Sequence, residues 1–218
     1  HLHSLGIKRT DHTDVEFDAS LPGLSNLTGL TDLVLWNTVS LTGDAVANLT
    51  ALQELHLKGC PLLESANMGG FTQLRSLRIL KFGKCDRLDD AIVNYLKWIP
   101  HLEQLYISAC PLFTGKYFGV LSQLMELSTI VLQFSAGITD NALKQLNAVV
   151  SLHRLEVVMC PQITEDGLRV LLSGDLKNLE YLNISGCLEP RLTTQTFQHK
   201  LPKFKKLNRG SVNLSMLK

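Results

Sequence analysis

Leucines recur along this chain with the spacing L-x-x-L-x-L, and the unit returns about every 25 residues. In the copy LEQLYISAC, Leu105 and Ile107 alternate with outward positions, a period of two that predicts a short strand with one buried face. A turn follows, marked by proline at 61, 111 and 161. A helix start is predicted next, because a side-chain oxygen that can cap free amides precedes each apolar run of helical spacing, at Thr42, Asp89, Thr114, Thr139, Thr164 and Thr193.

The repeat keeps its phase along nearly the whole chain. Its leading apolar positions are Leu2, Leu30, Leu52, Leu77, Leu102, Leu127, Leu152, Leu179 and Phe204. A period of 20–29 residues with this leucine spacing is typical of a leucine-rich-repeat solenoid. We therefore predict an α/β horseshoe of about eight to nine coils, with a concave parallel sheet and convex helices, and the third coil (LESANMGGF) lacking its helix. Residues 1–218 are predicted to form a single domain, with 203–218 as a C-terminal cap.

All five cysteines occupy one repeat position, directly after the strand: Cys60, Cys85, Cys110, Cys160 and Cys187. A buried free thiol packs there as a compact apolar group. Stacked coils lie about 4.8 Å apart, whereas disulfide Cβ atoms prefer about 3.8 Å, so the column is poorly placed for disulfides. Metal or redox use stays as the alternative, although no spacing is typical of a zinc site. Reduced thiols favour an intracellular location, cytoplasmic or nuclear.

Four N-x-S/T sequons oppose that location, at Asn26, Asn48, Asn183 and Asn213. We interpret them as chance occurrences, since Asn183 falls on a predicted strand. The sequence begins within a repeat, so we expect that a further segment, including a targeting signal, could precede His1.

Composition excludes several classes of function. The net charge of +1 gives no overall field towards nucleic acid, and no apolar run is long enough to span a membrane. The seven histidines are scattered, and the chain has neither a nucleophile elbow nor a phosphate-binding glycine loop. We predict no enzymatic activity, no cofactor and no metal.

The stretch LHRLEVVMCPQITEDGLRVL follows the pattern L-x-x-L-x-L-x-x-C-x-x-[ILV]-T-[DE]-x-x-[LAI]-x-x-L. It resembles the cysteine-containing repeats of F-box/leucine-rich-repeat proteins, and is also similar to leucine-rich-repeat proteins of trypanosomatid parasites. In ubiquitin-ligase members the resemblance implies repeats that present a substrate, with a separate F-box module docking the ligase. No such module is visible in this sequence, and Thr38 and Ser135 depart from the cysteine column.

Positions three, five, seven and eight of each repeat are predicted to face the concave side. Aromatic and soft apolar residues recur there, and such residues are enriched at the centres of interfaces. Some of these rings could instead lie flat on neighbouring strands, or Phe134 and Met159 could turn inward. The predicted partner-binding residues are Trp36, His56, Lys58, Lys81, Tyr106, Val131, Phe134, Glu156, Val158 and Tyr181.

The early coils carry a group of basic residues on the same face: Lys8, Arg9, Lys58, Lys81 and Lys84. They indicate either binding of an acidic or phosphorylated segment or a role only in keeping the sheet soluble. A second basic stretch, from Pro190 onward, has no acidic residue and carries Arg191, Lys200, Lys203, Lys205, Lys206, Arg209 and Lys218. It indicates either a polar terminal coil or a contact with RNA, anionic lipid or an acidic protein.

These patterns predict a protein–protein interaction scaffold whose partner lies on the concave face. The alternative is the substrate-recognition domain of an F-box type ubiquitin ligase. A nucleic-acid contact through the basic C-terminal end is a third hypothesis, and no membrane partner is expected.

Overall fold

The computed structural model describes residues 2–8, 23–38, 41–174, 176–187 and 206–208. Within them, nine parallel strands form one sheet in which each strand pairs with the next along the chain. The strands are β1 (Ser4–Lys8), β2 (Asp32–Trp36), β3 (Glu54–Lys58), β4 (Ile79–Gly83), β5 (Gln104–Ser108), β6 (Thr129–Gln133), β7 (Arg154–Val158), β8 (Tyr181–Asn183) and β9 (Lys206–Asn208). The predicted solenoid is confirmed. Of the predicted cap at 203–218, all but 206–208 lies outside the described residues, as does Arg9.

The second and fourth residues of each strand point into the molecule and stack on their equivalents in neighbouring coils. Leu80, for example, pairs in register with Leu55 on one side and Leu105 on the other. From β2 to β7 these inward side chains are buried. Burying a leucine contributes about 2 kcal/mol. The ladder of inward side chains therefore supplies the main driving force that stacks the coils.

Backbone hydrogen bonds between coils continue past the strand ends. From β2 to β7, the residue after the strand, such as Phe134, donates its amide to the next coil, here to the Val158 carbonyl at 2.9 Å. The chain must turn at this residue while its amide still bonds to the neighbouring coil. A left-handed backbone conformation allows both. This left-handed column consists of Asn37, Gly59, Lys84, Ala109, Phe134, Met159 and Gly186, with φ between 52° and 71°.

The convex side is less helical than predicted. It contains the α-helices α1 (Gly43–Val46), α2 (Val93–Leu96), α3 (Asp140–Leu146) and α4 (Glu165–Ser173). It also contains 3-10 helices at Leu24–Asn26, Ser65–Asn67, Gly69–Gln73, Asp90–Ile92 and Phe118–Gln123. The predicted exception in the third coil is confirmed. The prediction of one α-helix per coil is wrong for the coil after β5, where Gly119 and aromatic residues, which are weak helix formers, give a 3-10 helix.

Only some of the predicted caps are made. Asp89 accepts from the Ala91 amide at 3.0 Å and Thr164 from the Asp166 amide at 3.2 Å. Thr42 and Thr139 make no such bond, and Thr114 precedes no helix directly. Thr114 instead donates to the carboxylate of Asp90 in the preceding coil, so its hydroxyl links two coils. Thr193 lies outside the described residues.

The cysteine column packs as predicted. Cys60, Cys85, Cys110 and Cys160 are free and buried, and Cys187 is free and half-buried. The thiols donate to backbone carbonyls, as Cys160 does to Val158 at 3.5 Å. Burial raises the pKa of Cys160 to about 11, so this thiol stays protonated at neutral pH. Ser135 fits the same column because its hydroxyl donates to the Gln133 carbonyl at 3.0 Å.

The sequons occupy different environments. Asn183 is buried on β8 and donates to Glu156 at 3.1 Å, which leaves no room for a glycan. Asn26 and Asn48 are exposed, and Asn213 lies outside the described residues. The interpretation of these sequons as chance stays a prediction.

Candidate protein-binding face

The strands bring five of the predicted site residues together on the concave face of the early coils. Trp36 and Lys58 end adjacent strands in register, and His56, Lys81 and Tyr106 occupy the middle of three successive strands. Together with Phe134 they line a concavity of about 490 Å³, which is also bordered by Leu57, Phe82, Gly83, Lys84, Ser108 and Ala109. This basic–aromatic concavity is the main candidate site.

Lysine side chains lie over the aromatic rings of this concavity. The Lys8 and Lys58 ammonium groups are 5.3 and 5.4 Å from the Trp36 ring centroid, and Lys81 is 4.9 Å from that of Tyr106. Each contact at an exposed position is worth about 0.5–1 kcal/mol. The contacts hold the rings and the charges in one layer, so a ligand meets apolar surface and positive charge together.

His56 lies at the floor of the concavity and is half-buried. Burial and the nearby Lys81 ammonium lower the pKa of His56. Its Nε2 atom is 3.5 Å from Glu54 Oε2, which is long for a hydrogen bond. The ring is therefore neutral at neutral pH, and the positive charge of the site comes from its lysines.

The remaining predicted residues lie on later strands and present less surface. Val131 is 4% exposed and Glu156 is 9% exposed. The Glu156 carboxylate accepts from Arg154 Nε at 2.9 Å and from Asn183, while the Arg154 guanidinium lies 3.9 Å from the Tyr181 ring centroid. Glu156 and Tyr181 thus belong to a polar network next to the concavity, with half-buried Val158 on the same strand as Glu156.

Phe134 and Met159 point outward, against the alternative that they turn into the core. Phe134 is 56% exposed and Met159 is 49% exposed. Both are in the left-handed column, where a residue other than glycine costs roughly 1–2 kcal/mol. Glycine at the same repeat position, at Gly59 and Gly186, indicates this conformation in the sequence. Sequence reasoning did not use that sign, nor did it include Lys8 and Lys84 among the site residues.

The part of the chain that the structure describes bears on two other kinds of site, a metal site and a membrane-spanning helix. It contains no group of three or more His, Cys, Asp or Glu side chains placed to hold a metal ion. None of its helices combines the length and the apolar character needed to cross a membrane. The basic stretch after Pro190 lies almost entirely outside the described residues, so the predicted contact of that stretch with RNA stays a prediction.

No family model and no curated protein matches this sequence. Solved structures do match. An internalin (InlF) of Listeria monocytogenes aligns with 97% of this chain at 19% identity and a TM-score of 0.58. Internalin C2 of the same species aligns with 84% of the chain at 23% identity and a TM-score of 0.60.

The chain spans 58% of the length of the InlF structure and 73% of that of internalin C2. Sequence identities below 25% support a shared fold and do not transfer a function. Together with the nine-stranded parallel sheet, these likenesses show that the chain has the fold of a leucine-rich-repeat solenoid.

Proposed function

We propose that this chain is a non-catalytic interaction scaffold that binds a protein partner on its concave face. The observation that carries the proposal is the exposure of large apolar side chains beside the concavity. Trp36 is 37% exposed, and Phe134 and Met159 are more exposed still. Aromatic and Met side chains of this kind are enriched at the centres of protein interfaces.

The fold itself does not require these side chains. The inward ladder is complete without them, and the left-handed position of Phe134 disfavours a bulky residue. A residue kept at a strained, exposed position supports a functional role. The predicted intracellular location accords with five free thiols, and forms part of the proposal.

Photo-crosslinking tests where the partner binds. A benzoylphenylalanine is introduced at Tyr106, on the concave face, and separately at exposed Asn94 on helix α2 as the matched control. Adducts formed in an extract of the source organism are identified by mass spectrometry. We expect a discrete protein adduct from position 106 that position 94 does not give. Equal adducts from both positions, or an adduct from position 94 alone, would contradict a concave binding site.

A narrower proposal is that the chain is the substrate-recognition domain of an F-box type ubiquitin ligase. Its support is the cysteine-containing repeat, whose thiols occupy one buried column from Cys60 to Cys160. The sequence encoded upstream of His1 tests this proposal, since an adaptor-binding helical module there would support it and its absence from the full-length protein would reject it.

A further inference from the structure

We propose that the partner places an acidic segment, rich in Asp or Glu and followed by an apolar side chain, in the basic–aromatic concavity. This inference rests on the proposed function and specifies the chemistry of the bound segment. Its basis is the combination, on one face, of lysines without a carboxylate partner among the described residues, aromatic rings flanked by those lysines, and an exposed phenylalanine.

Four lysines converge on the concave face of the first four coils. Lys8, Lys58 and Lys84 are exposed at or just beyond the ends of their strands, and half-buried Lys81 lies in the middle of β4. Across the described ranges, each carboxylate that lies within 4.0 Å of a basic side chain lies beside an arginine or a histidine, and none lies beside a lysine. These four ammonium groups therefore have no carboxylate partner within the described chain.

Acidic side chains on the same face do not neutralise the lysines at the strand ends. Asp32 and Glu54 begin β2 and β3, whereas Trp36 and Lys58 end them, about 13 Å away along a five-residue strand. Asp32 accepts from Thr31 Oγ1 at 2.6 Å, and Glu54 lies beside His56. The part of the face formed by β2 and β3 is thus polarised, with carboxylates at the strand starts and the ammonium groups of Lys8 and Lys58 at the strand ends.

The size of the basic region fits a short extended peptide. The region from Lys8 on β1 to Lys84 after β4 crosses three strand spacings, about 14 Å. An extended chain covers that distance with about four or five residues. Lysine side chains are also long and flexible, so each ammonium group can move to meet one of the successive carboxylates of the peptide.

Phe134 provides the apolar end of the site. It borders the same concavity as Lys81 and Lys84, two coils further along the sheet. The equivalent positions in other coils include Gly59 and Gly186, which adopt the left-handed conformation without strain. An apolar partner side chain that follows the acidic stretch would cover the exposed ring.

An acidic peptide fits this face better than a nucleic acid does. Lysine ammonium groups lie over the rings of Trp36 and Tyr106, so bases that stack on these rings would have to displace the lysines. A nucleic-acid backbone is wider than an extended peptide. Its phosphates would therefore also approach the carboxylates of Asp32 and Glu54 at the strand starts, which repel them.

The test uses a fluorescein-labelled peptide of hexaglutamate followed by phenylalanine, and its hexaglutamine counterpart, with anisotropy as the readout. The double variant Lys58→Gln/Lys81→Gln should weaken binding of the acidic peptide by at least about tenfold, which corresponds to 1.4 kcal/mol. The matched control is Lys97→Gln/Lys116→Gln. These exposed lysines also lie over rings, 5.5 Å from Trp98 and 5.2 Å from Tyr117, but not in the concavity. The control should leave the affinity unchanged.

A second variant tests the apolar end. Phe134→Gly removes the ring and relieves the left-handed strain, so the fold should be retained, as circular dichroism will show. We expect weaker binding of the peptide that ends in phenylalanine and unchanged binding of hexaglutamate alone.

The inference would be overturned by a lack of binding of the acidic peptide, by equal binding of the glutamine peptide, or by equal losses of affinity in the concave and control lysine pairs. Tighter binding of a uridine decamer that depends on Lys58 and Lys81 would overturn it in favour of nucleic acid. The proposed function is tested separately, because crosslinks from position 106 would persist if the partner binds there through another chemistry.

Discussion

Replacing Asp90 with alanine is expected to lower the free energy of unfolding by about 3 kcal/mol, since loss of a buried hydrogen-bonded acceptor costs roughly 1–3 kcal/mol for each group left unpaired. The buried Asp90 carboxylate accepts from the Gly115 amide at 2.7 Å, from the Thr114 amide at 3.1 Å and from the Thr114 hydroxyl. One side chain thus anchors the coil of β4 to the coil of β5. Urea unfolding followed by circular dichroism measures the change.

Asp140 provides the matched control for Asp90. It accepts from the Thr164 amide at 2.8 Å and from the Thr164 hydroxyl at 2.6 Å, but Asp140 is only half-buried and these bonds lie at the surface. Water can replace those bonds, so Asp140→Ala should cost only about 1 kcal/mol. Equal losses for the two variants, or no loss for Asp90→Ala, would show that the buried carboxylate does not hold the coils together.

Adding one methyl group at Gly70 is expected to destabilise the fold by about 2 kcal/mol or more, because overpacking of a tight contact forces the backbone to move. A Cβ atom at Gly70 would lie 2.1 Å from the Gly43 carbonyl oxygen, and one at Gly43 would lie 2.7 Å from the Met68 backbone. Both sides of this contact are backbone, so no side chain can rotate away. The 3-10 helix Gly69–Gln73 thereby packs against α1 at a distance that only glycine allows.

Gly69→Ala is the control for that substitution. It lies next to Gly70 in the same 3-10 helix, but a Cβ atom there meets nothing within 4 Å. We expect the urea midpoint of Gly69→Ala to match that of the parent chain, while Gly70→Ala unfolds at lower urea. If both variants have the urea midpoint of the parent chain, the two coils do not pack as closely as this contact requires.

The sheet could be predicted from the sequence because each strand repeats one local rule. Leu80 and Leu105 are separated by one period, so they must stack if the chain winds into coils. The convex side could not be predicted in the same way, because its contacts join unlike residues of neighbouring coils. The hydrogen bond that the Gly115 amide donates to Asp90 and the close approach of Gly43 to Gly70 both depend on how far apart the coils lie.

The sequence predicted on which face of the sheet the candidate site lies, but not how its side chains are arranged there. Strand alternation places Trp36 and Tyr106 on the concave side, whereas it says nothing of the lysines that cover their rings. The same alternation gave Val131 as a site residue, although neighbouring strands leave it 4% exposed. Its contact with a partner, like that of the other site residues, stays a prediction.

We expect the concave side chains to bind a protein partner and to contribute only modestly to folding. The most direct test uses the partner that the crosslinking experiment identifies. Titration calorimetry measures its affinity for the parent chain and for Trp36→Ala/Tyr106→Ala, and urea unfolding is measured on the same two chains. Loss of two aromatic hot spots should weaken binding by about 100-fold or more, while loss of their three lysine contacts should lower the free energy of unfolding by about 1.5–3 kcal/mol in total. Unchanged affinity, or a loss of affinity that merely follows unfolding, would contradict the account.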